Sequence, residues 1–124
     1  AKHAVVFSAH RAPSSVPAAS FASLISGTSP AVHGIERPGD KLRPKVATLA
    51  ETLKEAGGRT ALFTGVPTSF GPFGFSAGFD TFETFSPVAD LPATEPLTRA
   101  QTFLEQELQS GGSTPHLVVV EPAA

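Results

Sequence analysis

Hydroxyl groups are the side chains of this sequence best suited to attack an ester, because the chain contains no cysteine. Ser14, Ser15 and Ser20 surround the start of a predicted helix. Free backbone N–H groups at a helix start stabilise the negative charge that such an attack develops. Serine at this place is also a common helix cap, so a structural role competes with a catalytic one at each position.

Histidines and aspartates are spread along the chain with no spacing that suits a metal ion or a pair of catalytic carboxylates. They are His3, His10, His33, His116, Asp40, Asp80 and Asp90. His33 precedes Gly34, which favours a hydrogen-bonding role in a turn. Gly71-Pro72-Phe73-Gly74 is a poor phosphate-binding loop, because its proline lacks an N–H group. The sequence therefore predicts no metal site of its own.

The composition fits one small folded domain that does not bind nucleic acid. The chain has 124 residues, of which 40% are hydrophobic, and its formal net charge is −2. Such a charge gives no electrostatic support for nucleic acid or an anionic membrane as partner. The closest approach to a basic patch, from Arg37 to Lys45, is interrupted by prolines and a glycine. No apolar run is long enough to cross a bilayer, so we expect no membrane insertion.

Glycine follows each of three predicted helices, as is common at helix ends. These helices span about residues 18–26, 46–56 and 98–110. In the first, Phe21, Leu24 and Ile25 repeat at helical spacing and are predicted to face the core. Pro17 is expected in the first turn of that helix, where proline is favoured.

Three short apolar runs, at residues 4–7, 59–64 and 116–120, are predicted strands. Strands that alternate with helices indicate an α/β fold, with a mostly parallel sheet flanked by helices. Residues 65–98 are interpreted as irregular, with their phenylalanines pinning the connection onto the core. These phenylalanines are Phe70, Phe73, Phe75, Phe79, Phe82 and Phe85.

Several segments occur in an order that resembles a known family. They are Ala1–Phe7, Ser20–Gly27, Pro30 with His33-Gly34, Thr48–Gly57, Thr60–Phe63, Gly78–Phe82 and Pro115–Glu121. Together they are similar to an internal stretch of the sulfatases, in the alkaline-phosphatase superfamily. The resemblance implies that residues 1–124 form a single partial domain of an alkaline-phosphatase or sulfatase-like fold. It also implies a fragment or reduced form of a longer parent.

The resemblance implies hydrolysis of sulfuric or phosphoric esters by a nucleophile at a helix start, in the motif Cys/Ser-x-Pro-Ser-Arg. When Gly27 is aligned with the glycine that follows the motif, Pro17 takes the nucleophile position. Ser20 then matches the motif's serine, which implies a substrate-binding role, and Phe21 replaces the arginine. Proline has no nucleophilic atom, and phenylalanine cannot hold an anion. Whether this chain is an enzyme therefore stays open.

If the alignment with the family motif is shifted by two residues, Ser15 takes the nucleophile position. Ser20 and Gly27 then no longer match the serine and the glycine of the family. Ser14 is a further candidate, and helix capping is the competing interpretation for both serines. The segment Thr64–Pro67 also departs from the family, which often has Gly-Lys-Trp-His there.

The family's divalent metal, calcium or a similar ion, would be held by residues upstream of Ala1 and downstream of Ala124. This chain is therefore expected to bind no cofactor alone. Three hypotheses follow: a non-catalytic sulfatase-like segment, a degenerate member that serves as a binding or scaffold module, and a hydrolase that is active only when completed by other segments. Because the family's sheet is wider, we also expect self-association or a partner chain that completes the sheet.

Overall fold

The computed structural model describes residues 5–67, 71–85, 94–111 and 114–122. Its three strands are β1 (Arg59–Thr64), β2 (Thr81–Thr84) and β3 (His116–Glu121). They form one parallel sheet in the order β2–β1–β3. The predicted α/β class with a parallel sheet is thus confirmed, and so is the predicted pairing of segments 59–64 and 116–120 within one sheet.

The central strand β1 is buried on both faces, as parallel strands usually are. Leu62 packs into a cluster with residues of the first helices, whereas Ala61 and Phe63 pack into a second cluster on the opposite face. Five consecutive residues of β1, from Thr60 to Thr64, are buried. Local sequence is consistent with this burial, because the run is apolar apart from its threonines, and Thr60, Phe63 and Thr64 are residue types enriched in strands.

The described part of the chain contains four α-helices: α1 (Pro17–Ser26), α2 (Pro30–His33), α3 (Leu49–Glu55) and α4 (Glu95–Gln109). Three of them confirm predicted helices, and α2 lies in a stretch where none was predicted. The helix α3 begins later than predicted because Thr48 and Glu51 form a reciprocal capping box at its start. None of the helices in the described ranges has the length and apolar content needed to cross a bilayer.

Two predictions about strands are wrong. Val5, Val6 and Phe7, in the predicted strand 4–7, form no strand and are 75–82% exposed; residue 4 lies outside the described residues. A strand is stable only when its backbone groups pair with a neighbour, and this segment pairs with no described strand. Conversely, β2 lies within the stretch that was interpreted as irregular, where it pairs with β1.

The phenylalanines of that stretch do pack onto the core, as predicted. Phe75 and Phe79 are buried in the first cluster, and Phe73 and Phe82 pack against it. Phe85 packs against the second cluster, while Phe70 lies outside the described residues. By contrast, Leu24 is 75% exposed, so its predicted inward orientation is wrong.

Candidate functional site at the start of helix α1

Pro17 occupies the first position of α1, as predicted. The preceding residue, Val16, is the N-cap, and its side chain makes no capping hydrogen bond. Proline suits this position because the first N–H group of a helix has no intrahelical partner and the ring fixes a helical φ angle. The residue that aligns with the family's nucleophile therefore starts the helix and offers no reactive atom.

Two of the three candidate serines hold the turn that enters α1. The Ser14 Oγ accepts a hydrogen bond from the Val16 N–H at 3.0 Å. The Ser20 hydroxyl donates to the Ser14 carbonyl oxygen at 2.6 Å. Ser15 lies between these contacts and is exposed to solvent. The structure thus brings all three serines together, and it engages Ser14 and Ser20 in hydrogen bonds within the turn.

Phe21, which aligns with the family's arginine, is a core residue. Its side chain is 8% exposed, and its ring centroid lies 5.3 Å from that of Phe75. Tilted aromatic pairs at such a distance contribute about 0.5–1.5 kcal/mol beyond the burial of their area. The position is therefore filled by a side chain that joins α1 to the phenylalanine-rich connection and that carries no charge for an anionic substrate.

A groove of about 480 Å³ runs along α1 beside this turn. Its lining is largely apolar and consists of His10, Ala12, Pro13, Ser20, Phe21, Ser23 and Leu24. Sequence reasoning missed Ser23, which lies in the middle of α1. No local pattern marks this residue, because its partner is contributed by another helix.

That partner is His33, whose Nε2 lies 2.9 Å from the Ser23 Oγ. The Ile35 N–H donates to the His33 Nδ1 at 3.1 Å, so Nδ1 is an acceptor. The hydrogen-bond network therefore assigns the ring proton to Nε2, and His33 donates to Ser23. In this tautomer His33 cannot accept the proton of Ser23, so the two residues do not form a nucleophile and its base.

His33 is fully buried, and burial lowers the pKa of its imidazole below the usual value of 6.5. A hydrogen bond with the Ala19 backbone opposes that shift, and the positive charge of Arg43 adds to it. The predicted hydrogen-bonding role of His33 is confirmed, although His33 ends the helix α2 and does not lie in a turn.

The segment that replaces the family's basic motif joins the carboxyl ends of two strands. The Thr64 hydroxyl donates to the Glu121 carboxylate at 2.9 Å, and its oxygen accepts the Val66 N–H at 3.0 Å. Thr64 is fully buried. In parallel α/β sheets ligands often bind at this edge, but here the described side chains at the ends of β1 and β3 bond to each other.

Asp80 clamps the start of β1. Its carboxylate accepts the Thr60 N–H at 3.1 Å and pairs with the Lys54 ammonium group at 2.9 Å. The Lys54 partner holds the pKa of the Asp80 carboxyl below its usual value of 3.8. Because its oxygens are engaged in this way, Asp80 acts as a structural residue.

No three histidine, aspartate or glutamate side chains of the described ranges come together as a metal site would require. The divalent ion that a resemblance to the sulfatases would imply finds no set of ligands among these residues. The chain matches no protein-family model, and neither a curated protein nor a solved structure shows detectable similarity to it.

Proposed function

We propose that this chain is a sulfatase-like segment of an ester-hydrolase scaffold and that it is non-catalytic as it stands. One observation carries the proposal: both aligned reactive positions have structural roles. Pro17 starts α1, and Phe21 packs in the core against Phe75. Hydrolysis through a covalent intermediate needs a nucleophilic atom and a charged group that stabilises the transferred anion. Neither side chain provides these functions.

The order of elements supports the scaffold part of the proposal. Six of the seven segments that resemble the sulfatases fall on described elements, namely α1, α2, α3 followed by β1, the turn into β2, and β3. In the remaining segment, Val5, Val6 and Phe7 form no strand. These elements share one parallel sheet and its flanking helices. Residues that match the family are also engaged in packing and hydrogen bonds, as Asp80 and His33 illustrate.

A second candidate function, a hydrolase completed by other segments, is favoured by Ser15. In the family motif the proline stands two residues after the nucleophile. With Ser15 as nucleophile, that proline is Pro17, which lies where proline is favoured in a helix. The Ser15 side chain is exposed, so a second segment that carried metal ligands could reach it.

Turnover of 4-nitrophenyl sulfate and 4-nitrophenyl phosphate by the purified chain tests the two candidates. The proposal predicts no hydrolysis above the buffer rate, with or without calcium. Calcium-dependent hydrolysis that Ser15→Ala abolishes would favour the second candidate. The matched control is Ser8→Ala, because Ser8 is also exposed but lies apart from the turn at α1.

A further inference from the structure

His33 is the residue through which three segments of the fold meet. It ends α2, its Nε2 contacts Ser23 of α1, and its Nδ1 accepts the Ile35 N–H. Its backbone oxygen also accepts the Arg43 N–H at 3.0 Å. The segment 34–43 is thus attached to the helices through both the side chain and the main chain of one buried residue.

The hydrogen bond from the Ile35 N–H requires a neutral imidazole. Protonation would place a hydrogen on Nδ1, which then faces the Ile35 N–H as a second donor. The hydrogen bond that orients residues 33–35 would be lost, and a charge would be created where no solvent reaches it. Ser23 could still accept from Nε2, so the bond to Ile35 is the contact that protonation breaks.

The charged surroundings do not compensate for such a charge. The Arg43 guanidinium lies close by, donates to the carbonyl oxygens of Ala31 and Val32, and disfavours a second cation. Glu36 favours protonation, but its influence is smaller than that of Arg43. The facing helix α1 contains no charged residue.

We propose that His33 is an acid-sensitive latch whose protonation breaks the bond to Ile35 and releases the start of the segment 34–43 from the end of α2. This inference concerns a conformational device and does not depend on the proposed function. In the open state the hydrogen bond between His33 and Ile35 is broken, whereas in the closed state it is present. In the open state His33 is hydrated and titrates near its usual pKa of 6.5. The closed state binds the proton less readily, so it is fully favoured above about pH 6.5 and loses stability as the pH falls. The loss continues until the pH reaches the lowered pKa of the closed state.

The size of the effect follows from linkage. Below about pH 6.5, the equilibrium constant for opening rises up to about tenfold per pH unit, until the pKa of the closed state is reached. The opening is local, so amides in β1, such as that of Leu62, keep their protection over the same pH range. Local and global opening can therefore be distinguished in one experiment.

Amide hydrogen exchange measured by NMR between pH 7.5 and 5.0, corrected for intrinsic exchange rates, tests the latch. We expect the protection factors of the Ile35 and Arg43 amides to fall with pH while that of Leu62 stays constant. In His33→Gln the fall should disappear, whereas His10→Gln, which removes an exposed imidazole, should retain it. Constant protection of Ile35 and Arg43 in the wild-type chain would overturn the proposal.

A measurement on the wild-type chain keeps the proposal testable if His33→Gln does not fold. The ¹⁵N shifts of the His33 ring report its tautomer directly. We expect a neutral ring with its proton on Nε2 at pH 7.5, and protonation that accompanies the loss of Ile35 protection. A ring protonated on Nδ1 at pH 7.5, or one that titrates while Ile35 stays protected, would contradict the latch.

Discussion

Side chains at the start of α1 are used for packing and for holding a turn. Pro17 contains no lone pair that can attack an ester, because its nitrogen belongs to the peptide bond. Phe21 places a buried ring where the resemblance to the sulfatases would predict an arginine. Ser14 and Ser20 bond to the turn itself. Of the three serines, only Ser15 is an exposed residue, whereas Ser14 and Ser20 are partly buried.

The packing role of Phe21 gives a stability prediction. We expect Phe21→Ala to lower the free energy of unfolding by about 3–5 kcal/mol, because it removes a buried ring and leaves a cavity. The matched control is Leu24→Ala in the same helix, which should change it by about 0.5 kcal/mol or less, since Leu24 is 75% exposed. Urea denaturation measures both values. Equal effects of the two substitutions would show that Phe21 is not a core residue.

Asp80 gives a prediction that depends on pH. Its pKa is lowered in the folded chain, chiefly by Lys54, so its contribution to stability is fully present above about pH 3.8. That contribution is lost as the pH falls through the folded-state pKa. The difference in unfolding free energy between the wild type and Asp80→Asn should therefore be largest near neutral pH and shrink below about pH 4. Denaturant unfolding at several pH values measures it, and a difference that is independent of pH would contradict the clamp.

At the scale of elements, a close backbone approach fixes how α3 and the turn into β2 fit together. Gly78 has a φ angle of 81°, and a Cβ atom there would overlap the backbone of Glu51 at the start of α3. A larger residue would push the turn away from the helix. The Thr60 hydroxyl, which donates to the Gly78 carbonyl oxygen at 2.7 Å, depends on the same position.

We expect Gly78→Ala to destabilise the chain more than Gly57→Ala. Both glycines have positive φ angles, so each substitution carries a backbone cost of about 1–2 kcal/mol. Of the two, only Gly78 adds a steric overlap, because no atom of the described residues lies within 4 Å of a Cβ built at Gly57. Thermal or urea unfolding compares the two variants. A smaller loss for Gly78→Ala would mean that the close approach to α3 does not constrain the fold.

Five of the elements α1–α4 and β1–β3 could be predicted from the sequence. Apolar periodicity and terminal glycines marked α1, α3 and α4, and β1 and β3 were apolar runs. The strand β2 was missed because Thr81–Thr84 has only four residues, of which Phe82 alone is apolar, in a stretch rich in glycine and phenylalanine. The Ser23–His33 contact could not be predicted, since it depends on how α2 packs against α1.

At the scale of the whole molecule, β3 is an open apolar edge of the described sheet. The Arg59 N–H donates to Pro115 O and the Gly65 N–H to Glu121 O, so the odd residues of β3 bond to β1. The backbone groups of Val118 and Val120 therefore face outward. All six residues of β3 are only partly buried. Edges of this kind readily pair with another strand.

We expect the chain to self-associate through this edge at about 100 μM, as measured by sedimentation velocity. Val118→Pro should shift the population to the monomer, because proline removes an outward N–H group and obstructs an incoming strand. Val118→Thr, which keeps the N–H group and the side-chain shape, is the control. A wild-type chain that is monomeric at this concentration would favour a self-contained module.

The central claim is that the described arrangement at α1 is not catalytic in this chain. Its most direct test is the rate of 4-nitrophenyl ester hydrolysis by the purified chain, measured with calcium and with a chelator, for the wild type and Ser15→Ala. We predict that both proteins release 4-nitrophenol at the buffer rate in every condition. Calcium-dependent release by the wild type that is lost in Ser15→Ala and kept in Ser8→Ala would contradict the claim and identify Ser15 as the nucleophile.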